Sequence, residues 1–278
     1  MKKILLSGST GFVGSAILDK LSENFEIYCL NRKKTKPSKK YKSIYFKSYD
    51  DLNSKLKKIK VDTVIHCATH YVKYHKFNDI RKLSESNILF GNIILENLTT
   101  MRVNNFINFS TVWENYDGVK DNYFNLYAVY KKSFSNLLKY YEKRSPNIRF
   151  YNLIISDTFG ESDKRAKIIN VLKKNYKENL ITKIISSKLY LNLLNIKDIV
   201  NSLSIVLKNK PGNYNLVNSK SYSISQIINT LNKKNNKKIK VKWSNNKTIK
   251  ERIFKNKKLI GWVPKNSTIN DIVAVIKS

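Results

Sequence analysis

The sequence predicts an α/β fold, a doubly wound parallel sheet with a smaller C-terminal α/β lobe. Three observations predict it. Short apolar runs alternate with helix-length amphipathic segments over the first two-thirds of the chain. Those runs are continuously apolar rather than alternating, as strands covered on both faces are. A glycine triplet, Gly8-x-x-Gly11-x-x-Gly14, separates the first run from the first helix.

The elements follow in order. Residues 3–7 read as the first buried strand, and a helix over about 14–23 follows the glycine turn. Residues 25–30 form the second strand and end in the basic turn Asn31-Arg32-Lys33-Lys34. A third strand lies at 44–46, a short helix at 51–59 and a fourth strand at 64–68. The helix predicted over 79–101 puts Leu83, Asn87, Gly91, Ile94 and Leu98 on one face. A fifth strand at 106–110, a long amphipathic helix at 121–144 and a sixth strand at 149–155 complete the series. Strands alternating with helices of this length are βαβ units. Past residue 157 come shorter strands, such as 238–243, and loops rich in Asn and Lys. The expected division is a core of residues 1–156 and a mainly substrate-binding lobe of residues 157–278, with some segments returning to the core.

Composition narrows the class. A chain of 278 residues with 41% hydrophobic residues has a folding and not a disordered composition. No apolar run nears the roughly 18 to 20 residues of a membrane span. The opening Met1-Lys2-Lys3-Ile4-Leu5-Leu6 is cut short by glycines and lacks a cleavage signature, so a secretion signal is not expected. Two cysteines, Cys29 and Cys67, make neither a disulfide framework nor a metal site, which points to a reducing cytoplasm and no metal. The formal net charge of +33 is the signature of a binder of nucleic acid or anionic membrane. Yet Lys, Asn and Ile are abundant along the whole chain, and no DNA or RNA motif surrounds the basic clusters. Neither a specific nucleic-acid partner nor insertion into a membrane is therefore expected, and the positive field favours an anionic small molecule.

The glycine triplet carries the first chemistry. Glycines there allow a tight turn, close approach of a pyrophosphate and close helix–strand packing, while the helix start supplies N–H donors. Gly8, Thr10, Gly11, Phe12, Val13 and Gly14 are thus the expected cradle of a dinucleotide, in a Rossmann unit. At the end of the second strand an NAD-preferring fold carries an acid for the ribose hydroxyl. Here Asn31 and Arg32 stand instead, and a guanidinium can grip a 2′-phosphate, so NADPH is the expected cofactor.

Tyr127-x-x-x-Lys131 carries the second. Spacing of four on a helix puts both side chains on one face, and a nearby ammonium favours the phenolate. The spacing alone is weak: Tyr28/Arg32, Tyr116/Lys120 and Tyr140/Arg144 share it. Only Tyr127/Lys131 lies early in the helix that follows the fifth strand. That strand ends in Ser110 and Thr111, whose hydroxyls can hydrogen-bond a carbonyl oxygen.

With these motifs together the chain resembles the extended short-chain dehydrogenase/reductase family, also called NAD-dependent epimerase/dehydratase. The resemblance implies that Tyr127 is the proton donor, Lys131 its modulator and ribose anchor, and Thr111 the polarising hydroxyl beside Ser110. It also implies that Cys67 and Ala68 line the cofactor and that Asn87 is the family's structural asparagine. By that resemblance, Val112-Trp113 in place of the sugar dehydratases' acidic pair implies that dehydration is not expected, and neither cysteine lies near the fifth strand with a later His, so epimerisation at carbons 3 and 5 is not expected either. His70-Tyr71-Val72-x-x-His75 and Phe109-Ser110-Thr111-Val112-Trp113 resemble the CDP-abequose and CDP-paratose synthase group. That implies reduction of the C4 keto group of a CDP-activated 3,6-dideoxy sugar for surface polysaccharide, with His70, His75, Val112 and Trp113 in the sugar pocket. Lys164 and Arg165 are candidates for the diphosphate, and a homodimer through the two long helices is common in such folds. Two other readings stand beside this one: an NAD-dependent nucleotide-sugar 4-epimerase using the same triad, and a non-catalytic NADPH sensor or RNA-binding scaffold.

Overall fold

A computed structural model of the chain describes residues 1–233 and 237–278. The six predicted core strands are β1 (Lys3–Ser7), β2 (Glu26–Asn31), β3 (Lys42–Tyr45), β4 (Thr63–His66), β5 (Asn105–Thr111) and β6 (Arg149–Ile155). The helices among them are α1 (Phe12–Leu21), α2 (Tyr49–Leu56), α3 (Phe77–Ser84), α4 (Phe90–Glu96) and α5 (Leu126–Arg144). The C-terminal part adds β7 (Asp157–Phe159), α6 (Ile168–Lys177), β8 (Ile181–Ser186), β9 (Leu189–Leu191), β10 (Leu193–Asn195) and α7 (Ile196–Val206). It continues with β11 (Gly212–Leu216), β12 (Tyr222–Ser223), α8 (Ile224–Lys233), β13 (Lys240–Asn245), β14 (Ile249–Lys250), β15 (Lys257–Lys258) and α9 (Ile269–Lys277).

The main sheet has eight strands in the order β15-β11-β6-β5-β4-β1-β2-β3, and every pairing in it is parallel. Alternate residues of β1 feed opposite faces. Ile4 and Leu6 pack with Ile17 of α1 and Ile199 and Leu203 of α7, while Leu5 packs with Leu52 of α2, Ile94 of α4 and Phe134 of α5. Helices on both faces explain why the strands are apolar throughout. Each fully buried Leu or Ile contributes about 1.5–3 kcal/mol. The expected Rossmann sheet is present. The third core gathers Phe159, Leu172 of α6, Ile227 of α8 and Ile272 of α9 in the lobe.

The two longest predicted helices differ most from the sequence reading. The segment expected as one helix over 79–101 is α3, a π-turn over Glu85–Leu89, and α4 ending at Glu96. Asn97 stops it by turning its Nδ2 onto the Ile93 carbonyl and Asn53. The predicted face is nonetheless the buried one, with Leu83, Asn87, Ile94 and Leu98 at 2% exposure or less. The helix expected from 121 starts at Leu126, capped by the Asn125 side chain on the Ala128 N–H. Asp117 and Asp121 upstream sit at positive φ, which excludes helix there. The intervening Val112–Gly118 is a short 3-10 segment.

The C-terminal half returns to the core twice, through β11 beside β6 and β15 at the sheet edge. Asp198 on α7 fastens the following loop. Its buried carboxylate accepts from the Lys265 and Asn266 backbone N–H groups, from Asn266 Nδ2 at 2.8 Å and from Ser267 Oγ at 2.6 Å. The Trp262 indole donates to the Asp198 carbonyl at 3.0 Å. Replacing Asp198 by Ala strips this set of its acceptor at a buried position and should lower unfolding free energy by about 3 kcal/mol. Urea unfolding measures it, and an unchanged midpoint would show that the loop is not held this way.

Candidate active site

The chain reverses direction across the sheet between β1 and β4, and a cavity of about 770 Å³ opens at the C-terminal ends of β1, β4, β5 and β6. Crevices of this kind are where doubly wound sheets bind ligands. At one end Gly8 turns with φ +76°, and the Gly11 N–H donates to the Gly8 carbonyl at 3.0 Å. A Cβ on Gly8 would lie 2.5 Å from the Ala68 nitrogen, and one on Gly14 would lie 2.1 Å from the Gly8 oxygen. Only glycine fits at either place. Gly11 caps α1 without a side-chain bond, and no acid sits in the first turn. The helix therefore presents free N–H donors and the positive end of its dipole to the cavity.

Gly8, Thr10, Gly11, Phe12, Val13 and Gly14 line this end together with Arg32, Cys67 and Ala68. Among the described lining residues the sole acid is Asp157, at the other end. This uncapped, acid-free cradle fits a dinucleotide. Asn31 is not among the lining residues, because its Nδ2 donates to Ser43 Oγ at 2.8 Å and braces β2 against β3.

Ser110, Thr111 and Tyr127 line the middle of the cavity. Thr111 Oγ1 accepts from the Trp113 N–H, which starts the 3-10 segment. Ser110 donates to the buried Glu114 carboxylate at 2.7 Å, and Ser135 contacts the same oxygen at 3.4 Å. Burial holds the Glu114 carboxyl above its usual value, with Ser110, Lys132 and Lys131 pulling the other way.

The Tyr/Lys pair behaves differently from the sequence expectation of a lowered phenol. Burial pushes the Tyr127 phenol up to about 12, opposed by a hydrogen bond with Thr69, and Lys131 is not among the groups that act most on it. Burial also drops the Lys131 ammonium to about 8, against the pull of Glu114. Lys131 is 4% exposed and does not line the cavity. Tyr127 is thus a neutral phenol at pH 7, a proton donor rather than a base.

Cys67, expected along the cofactor, is among the residues of the cavity. Cys67 ends the run after β4 and lines the same cavity as Ser110 and Thr111. Burial raises its thiol far above the ordinary range, so it is no base there.

At the outer end Tyr71 meets Tyr127 edge to face, with ring centres 5.1 Å apart, and Trp113 at 6.0 Å. Lys167 stands over the Trp113 ring at 4.7 Å and the Tyr71 ring at 5.2 Å, and pairs with Asp157 at 2.7 Å. Arg165 stacks on Phe12 at 4.3 Å and is held in a fork by Asp163, with Thr158 accepting from Nη2. Lys164 lines the cavity and is exposed.

The other expected residues fall outside the lining. His75 is exposed on the surface, and Val112 is buried at 5% exposure. Asn87 spends its amide on Thr69 and on the His70 backbone, so it props the loop that carries Thr69. His70 is half-buried with its Nε2 unpartnered. Sequence reasoning missed Thr69, Lys167, Asp157, Glu114 and Glu251 as members of the site. Asp157 and Glu114 could have been found by their places, just past one strand end and a few residues beyond another; the lysine among so many could not. Among the described residues no cluster is arranged to hold a metal ion, and no helix is long and apolar enough to cross a membrane.

The fold and the cradle define a dinucleotide-binding class. Residues 4–217 match the model of the NAD dependent epimerase/dehydratase family, and the chain belongs to that family. It is 28% identical to a CDP-abequose synthase of Yersinia pseudotuberculosis over 221 residues, 76% of this chain and 75% of that protein. It is 25% identical to a CDP-abequose synthase of Salmonella muenchen over 248 residues, covering 87% and 84%. Among solved structures it is similar to the UDP-glucose 4-epimerase of Thermus thermophilus in complex with NAD, with a TM-score of 0.80 and 16% identity. That match spans 99% of this chain and 97% of the other.

Glu251, in the C-terminal part, shares a side-chain hydrogen bond with Trp113. Burial first, and Asp157 second, raise its carboxyl from 4.5 to about 7, and Oε1 is buried without a partner. The native chain therefore holds a proton between those values that the unfolded chain has released. Raising the pH from about 4.5 to 7 costs native stability for this reason, and the cost is complete above pH 7. Glu251→Gln should remove this slope, so its melting temperature at about pH 8 should gain a few degrees on the parent and much less at about pH 4.5. Equal shifts at both pH values would refute the assignment.

Proposed function

We propose that the chain is an NADPH-dependent reductase of a nucleotide-activated deoxy sugar, acting on a C4 keto group. A CDP-4-keto-3,6-dideoxy sugar destined for surface polysaccharide is the favoured substrate. The observation that carries this reading is one continuous cavity joining Arg32 and the glycine cradle to Thr111 and the neutral Tyr127 phenol. The likeness to two CDP-abequose synthases supports the substrate class.

The residues divide the work. Gly8, Thr10, Gly11, Phe12, Val13 and Gly14 would hold the diphosphate of the cofactor, and Arg32 would hold the 2′-phosphate. When bound, NADPH supplies a hydride for the carbonyl carbon. The Thr111 hydroxyl donates to the carbonyl oxygen and polarises it. Tyr127 gives its proton to that oxygen as charge develops there, and the Lys131 ammonium stabilises the phenolate left behind. Lys164, Arg165 and Lys167 supply positive charge for the nucleotide diphosphate, and Trp113 and Tyr71 offer flat faces to the sugar.

NADPH absorbance, followed with CDP-, dTDP- and GDP-linked 4-keto-6-deoxy and 3,6-dideoxy sugars, tests the reading. Consumption is expected with the CDP series, and Tyr127→Phe should slow it at least a hundredfold. Turnover should fall as pH rises through about 8, where Lys131 loses its proton. Arg32→Asp should raise the KM for NADPH about tenfold or more and narrow its advantage over NADH. NAD retained through purification, with interconversion of 4-hydroxy sugars and no reductant consumed, would overturn the reductase in favour of a 4-epimerase.

A further inference from the structure

The free edge of the main sheet carries a second groove, of about 760 Å³, that shares no residue with the cavity described above. It lies between the turn after α7 and β15. Lys208, Lys210, Lys257 and Lys258 line it, and no acidic residue does. None of these lysines makes an ion pair among the described residues. From Ile199 to Lys250 the sequence has eleven lysines and not one Asp or Glu.

Beside the lysines stand two aliphatic side chains turned to solvent, Ile260 at 80% and Val263 at 67% exposure. They are not frayed. The Asn209 amide donates to the Ile260 carbonyl and accepts from the Ile260 N–H, each at 3.1 Å. Leu259 is 3% exposed in the core, and Trp262 packs against the same core with its indole on the Asp198 carbonyl. Gly261, at φ +83°, makes the turn between them. A pinned backbone thus holds Leu259 and Trp262 inward and Ile260 and Val263 outward. Lysines on an edge strand also deter strand-to-strand aggregation. That accounts for Lys257 and Lys258, but not for Lys208 and Lys210 on another element, nor for the aliphatic tip.

We propose that this edge, formed by the Lys208–Lys210 turn, β15 and the Ile260–Val263 tip, docks on an anionic phospholipid surface. The lysines take the headgroup phosphates, and Ile260 and Val263 enter the headgroup layer. Polybasic charge beside exposed aliphatics is the pairing such surfaces select, and each lysine near one contributes about fivefold to partitioning. Single-stranded nucleic acid, the other polyanion, is held through stacked aromatic rings. Here Tyr214 is buried and Trp262 is turned inward, which favours lipid. The contact is peripheral and needs no spanning segment.

Sedimentation of the full chain with vesicles tests this at physiological salt. The chain should pellet with an equal mixture of phosphatidylglycerol and phosphatidylcholine and stay in solution with phosphatidylcholine alone. Lys257→Glu with Lys258→Glu should lower partitioning at least tenfold, and so should Ile260→Asp with Val263→Asp. Ile260→Ser with Val263→Ser gives the same reading with less risk to folding, which a thermal melt monitors. Lys57→Glu with Lys58→Glu, an exposed pair after α2 and of equal charge change, should lower it far less. No binding to the mixed vesicles overturns the proposal. So does a loss in the Lys57/Lys58 variant equal to that of the β15 variant, since general charge then suffices. Indifference to both Ile260/Val263 variants overturns it too. Displacement from vesicles by sub-stoichiometric single-stranded RNA, abolished by the β15 variant, would assign the face to nucleic acid instead.

Discussion

The close approach of three backbone segments at the point where the sheet reverses direction governs this molecule. Gly8 lies against the Cys67–Ala68 backbone, and Gly14 lies against Gly8 itself, at separations that leave no room for a methyl group. That contact seats the start of α1 directly on the C-terminal ends of β1 and β4. The same contact opens the cavity, because the chain after β1 and the chain after β4 must then leave in opposite directions. Arg32, Cys67, Ala68, Ser110 and Thr111 reach one crevice because their strands end level with that seat.

Burial then sets the protonation of the groups the sheet brings together. Tyr127 is pushed up and Lys131 down, the first away from its phenolate and the second away from its ammonium. The lowering of the phenol expected from the Tyr-x-x-x-Lys spacing is thus outweighed by burial. A neutral phenol can give a proton but does not take one. Behind it, Glu114, Ser110 and Ser135 form a buried polar patch beside Lys131, with Asn152 bonding Ser135 at 3.1 Å and Asn108 bonding Asn152 at 2.8 Å. Such a patch is tolerable in a core only when its donors find acceptors, and it ties α5 to β5 and β6 where the site is built.

The C-terminal lobe contributes to the site because it is laced into the core. β11 and β15 extend the main sheet, and Asp198 gathers the loop over 262–267. Lys167 stands over the Trp113 ring, and Glu251 shares a side-chain hydrogen bond with Trp113. The outer wall is therefore a joint product of both halves of the chain. The same lacing sets the Ile260–Val263 tip at the far edge, so the cavity and a basic, aliphatic-tipped face coexist on one sheet without sharing a residue.

The sequence by itself determined the sheet and its cradle. Continuous apolar runs at βαβ spacing, and glycines at 8, 11 and 14, follow from local rules of strand burial and backbone sterics. The same locality placed Thr111 at a strand end and Tyr127 in the first turn of a helix. Helix ends were less legible: the Asn97 and Asn125 caps each shortened a segment that hydrophobic periodicity extends, since side-chain capping competes with the helix and leaves no periodic trace. Tertiary structure alone decided the rest. It turned Asn31 onto Ser43 and Asn87 onto the loop at 69–70, and it carried Cys67, Lys167 and Asp157 to one cavity. It also set how far each titrating group is desolvated. Contacts between segments far apart in the chain, and the loss of water that comes with them, depend on where the whole chain packs, and no spacing within a motif records that.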